Sequence, residues 1–365
     1  MLILTRRDFF RKTGAGAVAM GVLAAQVAQL KANPLGLPIG SQTFPHRVRI
    51  QCGDLAGLLK DMKAVGIDVV EFCDPIGYVG ANSFAKIADG KATRKLLDDN
   101  GMRAVSVHVA MPVYRNPSDF AKTIAWAQEL GLEMLGSATL LGRVVNGATT
   151  LDEVKRAAFE YNRIAEQTKA AGMQQILHNE GFENSRLIDG RLTYPVLIEQ
   201  LDPNLVKMQF QMSSMTNLGN PIMYFQNYPG RFASVHLQGV NTTAGMRVAG
   251  PFALPTKPDA AGADAAAGGR GGRGAGGAGG GGRAGGGAPA DPCAPATPAA
   301  APAAARGTVA PPAGGTGQGP LALGEDTANW PAIFAAAKIG GLRYAFVEQG
   351  WEQTVRSAAY LKTLS

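Results

Sequence analysis

Short runs crowded with apolar and β-branched residues recur from Leu37 to the end of the chain, and stretches of helical patterning separate them. The runs predict strands over 37–43, 67–73, 103–109, 133–138, 173–179, 205–211, 232–238 and 342–348. The stretches between predict helices over 53–65, 82–99, 117–130, 151–171, 193–202, 220–228, 328–338 and 351–363. Asp54, Ser83, Asp119 and Asp152 stand where an N-cap or first-turn acid belongs, and Gly66, Gly101, Gly131 and Gly172 stand just past helix ends. Eight alternating units predict an α/β fold, a closed (β/α)8 TIM barrel, rather than an open doubly wound sheet.

Two segments fall outside this alternation. Residues 251–320 hold 20 of the chain's 48 glycines and almost no bulky apolar residue, so they cannot bury enough surface to offset their ordering entropy. They are expected to be a low-complexity, disordered Ala/Gly/Pro insert after strand seven, on the face of the barrel where catalytic loops emerge. The tract Gly-Gly-Arg-Gly-Gly-Arg within it looks like an RNA-binding segment, but no aromatic residue lies between Phe252 and Pro320 to stack a base.

The first 32 residues carry Arg6, Arg7, Arg11 and Lys12 ahead of the small-residue run Thr13–Ala25, with an aromatic two positions after the arginine pair. This resembles a twin-arginine export signal, and implies passage through the twin-arginine translocase to a periplasmic or otherwise exported location, with cleavage expected between Ala28 and Ala32. The run is too short and too weakly apolar for a stable membrane span. The remaining 33–250 and 321–365 have the size of one barrel. Most of the +7 net charge sits on the two outlying segments, which leaves the barrel near neutral and argues against a nucleic-acid partner. Cys52, Cys73 and Cys293 show no metal-like spacing; their odd number gives no indication of a structural disulfide, and Cys73 is expected in a buried strand.

All four histidines lie at or near the C-terminal ends of odd-numbered strands: His46 after the first, His108 in the third, His178 in the fifth and His236 in the seventh. That is the rim where catalytic side chains converge in a barrel. Glu71 ends strand two, Glu180 and Glu183 follow strand five, and Glu348 ends strand eight. Carboxylates at buried strand ends are costly unless paired or metal-bound. Gln209, Gln211 and Gln238 add neutral donors and acceptors, a collection suited to a polyhydroxylated substrate and to a divalent metal such as Mn2+, Mg2+ or Zn2+.

The runs Gly66-Ile67-Asp68-Val69-Val70-Glu71-Phe72, Ser106-Val107-His108, Leu177-His178-Asn179-Glu180-Gly181-Phe182-Glu183, Asp202-Pro203-Asn204-Leu205-Val206-Lys207-Met208-Gln209, Tyr228-Pro229-Gly230-Arg231-Phe232 with Val235-His236, and Phe346-Val347-Glu348-Gln349 together resemble the xylose isomerase-like TIM barrels of the sugar phosphate isomerases/epimerases. The resemblance spans 37–250 and 321–365. It implies one divalent metal at the barrel mouth, held by a residue after strand five, an Asp ending strand six, a His ending strand seven and a Glu ending strand eight. His236 and Glu348 match the last two. The chain departs at the others, with His178-Asn179-Glu180 where relatives commonly read His-Asn-His, and Gln211 in place of Asp. Losing the Asp removes a negative charge that Glu180 can return, so the expected ligands are Glu180, Gln211, His236 and Glu348.

The resemblance further implies isomerisation, epimerisation or β-elimination, all beginning with proton abstraction next to a carbonyl. Glu180 and Glu348 are the expected acid/base pair, with Glu71, His108, His178, Glu183, Lys207, Gln209 and Gln238 orienting the hydroxyls of a small sugar. Export favours a free or oxidised sugar over a phosphorylated one. The alternatives are a non-catalytic periplasmic sugar-binding barrel with a degenerate metal site, and a tethering role for the insert. A zinc endonuclease of the same superfamily needs more ligands than four histidines supply.

Overall fold

The eight runs form eight parallel strands, and each pairs with a neighbour on both sides. The computed structural model describes residues 36–137, 144–145, 147–180, 182, 185–214, 218–240, 293 and 321–364. The expected signal at 1–32 and, apart from Cys293, the insert at 251–320 lie outside the described residues. The strands are β1 (Ile39–Gln42), β2 (Val69–Cys73), β3 (Arg103–His108), β4 (Met134–Ser137), β5 (Gln174–His178), β6 (Val206–Gln211), β7 (Phe232–Leu237) and β8 (Tyr344–Val347). They close in the order β1-β8-β7-β6-β5-β4-β3-β2, with Gly40 of β1 opposite Phe346 of β8. This is the expected (β/α)8 barrel.

The outer helices are α1 (Leu55–Ala64), α2 (Gly90–Asp99), α3 (Pro117–Leu130), α4 (Leu151–Ala170), α5 (Thr193–Gln200), α6 (Pro221–Asn227), α7 (Trp330–Gly340) and α8 (Trp351–Thr363). Several starts are fixed by side-chain caps. Asn116 accepts from the amides of Ser118 and Asp119 with Pro117 in the first turn, and Thr150 accepts from that of Glu153. Asp119 and Asp152 are thus first-turn acids, favourable to the helix dipole. Asp54 does precede α1, but its carboxylate pairs with Arg49 instead of capping. The helix expected over 82–99 is split: a 3-10 turn at Ala85–Ile87 comes first, and Asp89 caps α2.

Two layers of packing hold the barrel. The larger core lies between strands and helices and includes Leu58, Met62, Phe72, Leu97, Tyr161, Phe210, Phe232 and Trp330. A smaller, separate cluster of Val69, Val105, Met134, Ile176, Ala233, Tyr344 and Phe346 fills the barrel interior. Strand side chains alternate in direction, so the inward positions pass from apolar to polar within two residues: Val69 to Glu71, Ile176 to His178, Phe346 to Glu348. The apolar cluster is therefore the floor on which the polar mouth rests.

The mouth side also holds elements that the sequence pattern did not predict. Short helices Arg47–Gln51 and Met111–Arg115 follow β1 and β3, and two-residue strands Ala148–Thr149 and Arg186–Leu187 pair in parallel between the loops after β4 and β5. Buried Asp74 braces the loops after β2 and β3 by accepting from the amides of Ile76, Gly77 and Ala110. Among the described residues, no helix is long and apolar enough to cross a membrane.

The cysteines correct the sequence reading. Cys52, in the loop after β1, is disulfide-bonded to Cys293, with Cα atoms 5.3 Å apart across 241 residues of sequence. A pair that distant in sequence leaves no local spacing signal; only barrel closure, which sets the connections after β1 and β7 on the same face, brings the two sulfurs together. Cys73 is the buried strand residue expected. Thiol titration in denaturant without reductant is expected to find one thiol per chain, Cys73, and none in the folded protein. Three thiols in denaturant would show that the bond is absent.

Candidate active site

The mouth is organised around Glu71, which has no solvent exposure at the end of β2. Its Oε1 lies 2.5 Å from Nε2 of His236 and 3.2 Å from Nε2 of His108, while its Oε2 accepts from the amide of Gln209 at 2.8 Å. Gln209 also contacts His108 Nε2 at 2.7 Å through Oε1 and donates to Ser234 Oγ at 3.0 Å. The ladders shift register between Val70 and Glu71 on β2 and between Met208 and Gln209 on β6. Each irregularity falls beside one of these two bonded residues, and re-aiming a side chain is what such irregularities do next to functional sites.

A second carboxylate, Glu348, closes the other side of His236. Its Oε2 is 3.2 Å from His236 Nδ1 and accepts from Gln211 Nε2 at 2.8 Å and Gln238 Nε2 at 2.9 Å. Asn179 Oδ1 accepts from the backbone N–H of Gln211 at 2.8 Å, which ties the ends of β5 and β6 together. The rings of His108, His178 and His236 gather with centroids 4.6 to 5.0 Å apart, and Phe346 packs its edge against His236 from below. The His178 ring is buried, and neither of its nitrogens has a hydrogen-bond partner; Gln211 Oε1 likewise has none.

Burial and charge act oppositely on these groups. Burial favours neutral carboxyls, yet the adjacent His108 and His236 hold Glu71 down at about 2. Burial also favours a neutral imidazole, but Glu348 and Glu71 on either side raise His236 to about 10. Glu348 is lowered against its burial by His236 and the Gln211 amide. His178 is pushed well below the usual histidine range by burial, reinforced by the neighbouring imidazoles. The mouth thus holds an imidazolium between two carboxylates, next to a neutral histidine.

Most of the sequence-selected residues meet here: Glu71, His108, His178, Gln209, Gln211, His236, Gln238 and Glu348. Glu180 stands at the rim, its side chain 51% exposed and its Oε2 3.8 Å from His178 Nε2, whereas the Glu348 side chain is only 14% exposed. Lys207 does not join them. Its Nζ donates to the carbonyl of Gly230, and it lies four residues, about 13 Å, below Gln211 along β6, because a strand advances about 3.3 Å per residue. Glu183 lies outside the described residues. Sequence reasoning passed over Ser234, two residues before His236 and therefore on the same face of its strand, a period-two signal that could have found it. His46 is buried beside Trp351 with its Nε2 unpartnered, and burial together with Arg49 lowers it to about 4.

No protein-family model matches the chain, and no curated protein matches it. Among solved structures it is similar to a sugar phosphate isomerase/epimerase from Parabacteroides distasonis ATCC 8503, with a TM-score of 0.56 and 19% identity over 89% of this chain and 93% of that one. It is also similar to a xylose isomerase-like TIM barrel protein from Mycobacterium smegmatis in complex with magnesium, with a TM-score of 0.49 and 11% identity over 91% of this chain and 97% of that one. At these identities the likeness to the first establishes the barrel fold.

The charge pattern predicts how stability depends on pH. His236 contributes stability that is complete below its ordinary value of 6.5 and is lost as pH rises toward about 10. His178 and His46, held neutral by burial, cost stability as pH falls below 6.5. Glu71 loses its contribution as pH falls from 4.5 toward about 2. Urea unfolding of metal-free protein is therefore expected to show a maximum near pH 6.5. His236→Gln lowers stability throughout and flattens the alkaline side; an unchanged alkaline slope in that variant would eliminate the imidazolium.

Proposed function

We propose that the mouth binds a small sugar, free or oxidised at one carbon, and moves a proton next to its carbonyl, as an isomerase, epimerase or keto-sugar lyase does. The observation that carries this reading is the convergence of His108, His178, His236, Glu71 and Glu348 at the C-terminal rim of a closed barrel, above an apolar floor. The solved structure of similar fold from Parabacteroides distasonis bears the name sugar phosphate isomerase/epimerase.

The two candidate acid/base groups sit in different environments. Glu348 is mostly enclosed, and His236, Gln211 and Gln238 hold it in the carboxylate form that a base requires. Glu180 is exposed at the rim, beside buried His178, and is placed to return a proton from the solvent side. Gln238 and Gln211 can turn their amides from Glu348 to substrate hydroxyls, while Gln209, spent on Glu71, His108 and Ser234, keeps the floor in place.

The resemblance implies a divalent ion at this mouth, and the donors present fit one. Gln211 Oε1 and both nitrogens of His178 are buried without hydrogen bonds, and His236 and Glu348 stand beside them. His236, on giving up a proton, would hold the ion together with Glu348 and Gln211, with Glu180 at the rim. When bound, the ion polarises the substrate carbonyl and the adjacent hydroxyl.

The reading places the protein outside the cytoplasm, after export by the twin-arginine translocase. The arginine pair at Arg6-Arg7 supports it, and so does the Cys52–Cys293 disulfide, since such bonds persist in oxidising compartments.

Incubation of the purified protein with a panel of sugars in deuterated water, followed by NMR, is expected to show incorporation of solvent deuterium next to the carbonyl of at least one of them. Glu348→Gln and Glu180→Gln should each slow it about 10²- to 10⁴-fold, the usual contribution of a positioned acid or base. Saturable sugar binding without exchange would replace this reading with that of a binding protein.

A further inference from the structure

The ligand set named above leaves out His108 and His178. One nitrogen from each of His108, His178 and His236 can be chosen so that all three atoms lie within 4.8 Å of one another, and all three residues are buried. No well-aligned hydrogen bond satisfies either nitrogen of buried His178, whose polar neighbours are the Gln209 side chain and Glu180 Oε2 at 3.8 Å, and burying an unsatisfied polar group is costly. Glu71 Oε1 contacts the Nε2 atoms of both His108 and His236, which leaves their Nδ1 atoms to face a metal once His236 has released a proton. A carboxylate that fixes ring orientation in this way is the usual support of histidine metal ligands.

We propose that His108, His178 and His236 form a three-nitrogen site that takes Zn2+ in preference to Mg2+ or Mn2+, with Glu71 as its positioning residue. The proposal deepens the reading of the mouth as a divalent-ion site. Hard ions such as Mg2+ seek oxygen ligands, whereas imidazole suits Zn2+. At the end of β6 Gln211 offers a neutral donor, and the carboxylate of Glu180 stands at the exposed rim. Zn–N bonds of about 2.0–2.1 Å set tetrahedral ligand nitrogens roughly 3.3 Å apart, so nitrogens that lie within 4.8 Å need to draw together by up to about 1.5 Å. Three protein nitrogens are the ligand count of zinc sites that keep one position open for chemistry.

The test uses the full chain, stripped of metal and dialysed against Zn2+, Mg2+ or Mn2+ alone, with bound metal measured by plasma emission. One Zn2+ per chain is expected, retained against a large excess of Mg2+. The Co2+-loaded protein is expected to give the intense visible absorption of a four-coordinate, nitrogen-rich site. His178→Ala and His178→Gln should both lose zinc on dialysis, and Glu71→Gln should weaken binding about 10- to 100-fold. Lys207→Ala, at the far end of the barrel, should retain it. Circular dichroism of each variant identifies any that fails to fold, and the cobalt spectrum of the unmodified chain needs no variant. Failure of the unmodified chain to retain zinc, a weak octahedral cobalt spectrum, or folded His178 variants that keep zinc would each overturn the proposal. Zinc binding is read without sugar, so zinc retention with no sugar exchange would sink the reaction alone. Exchange supported by Mn2+ in a protein that does not retain zinc would sink the zinc site alone.

Discussion

Glu71 is a charged carboxylate with no access to water, and the arrangement of the mouth follows from keeping it charged. Desolvation alone would protonate it; His236 at 2.5 Å, His108 at 3.2 Å and the Gln209 amide at 2.8 Å reverse that preference. These partners come from β7, β3 and β6, so the carboxylate ties three further strands to β2 from inside the barrel. His236 in turn brings in Glu348, and Glu348 brings in Gln211 and Gln238. Removing one member of such a network leaves another with an uncompensated buried charge, which makes the set interdependent.

The same arrangement separates floor from rim. The deep groups are bonded to one another and rest on the apolar cluster that includes Phe346 and Ile176, so their rotamers are held by packing as well as by hydrogen bonds. Glu180 belongs to the rim and is exposed. Two glutamates thereby stand in different surroundings: Glu348 is mostly enclosed and held toward its anionic form by His236, while the side chain of Glu180 is exposed.

The Cys52–Cys293 bond adds a covalent constraint on the mouth face. Cys52 follows β1 and the short helix Arg47–Gln51, whereas Cys293 belongs to the connection between β7 and α7. β8 stands between β1 and β7 in the closed sheet, so the bond fastens that connection across one strand of the barrel. A loop closed over 241 residues removes considerable freedom from the unfolded chain, and the chain-entropy model assigns loops of a hundred residues or more about 5 kcal/mol.

Barrel architecture was legible along the chain because strand and helix periodicities are local, and eight alternations leave few closed solutions. All eight strands and eight helices appear within a few residues of their expected places, apart from the helix over 82–99, which a 3-10 turn and the Asp89 cap divide. The histidines were legible as rim residues for the same reason, since a strand's C-terminal end is a position in sequence as much as in space. Pairing was not. That Glu71 lies against His236 across 165 residues, that Lys207 faces the far end, and that Cys52 meets Cys293 are consequences of barrel closure and of where the ladders slip register. Residue types and spacings determine which side chains reach the mouth; a through-space contact has no period in the chain, so only the closed sheet decided which of them touch.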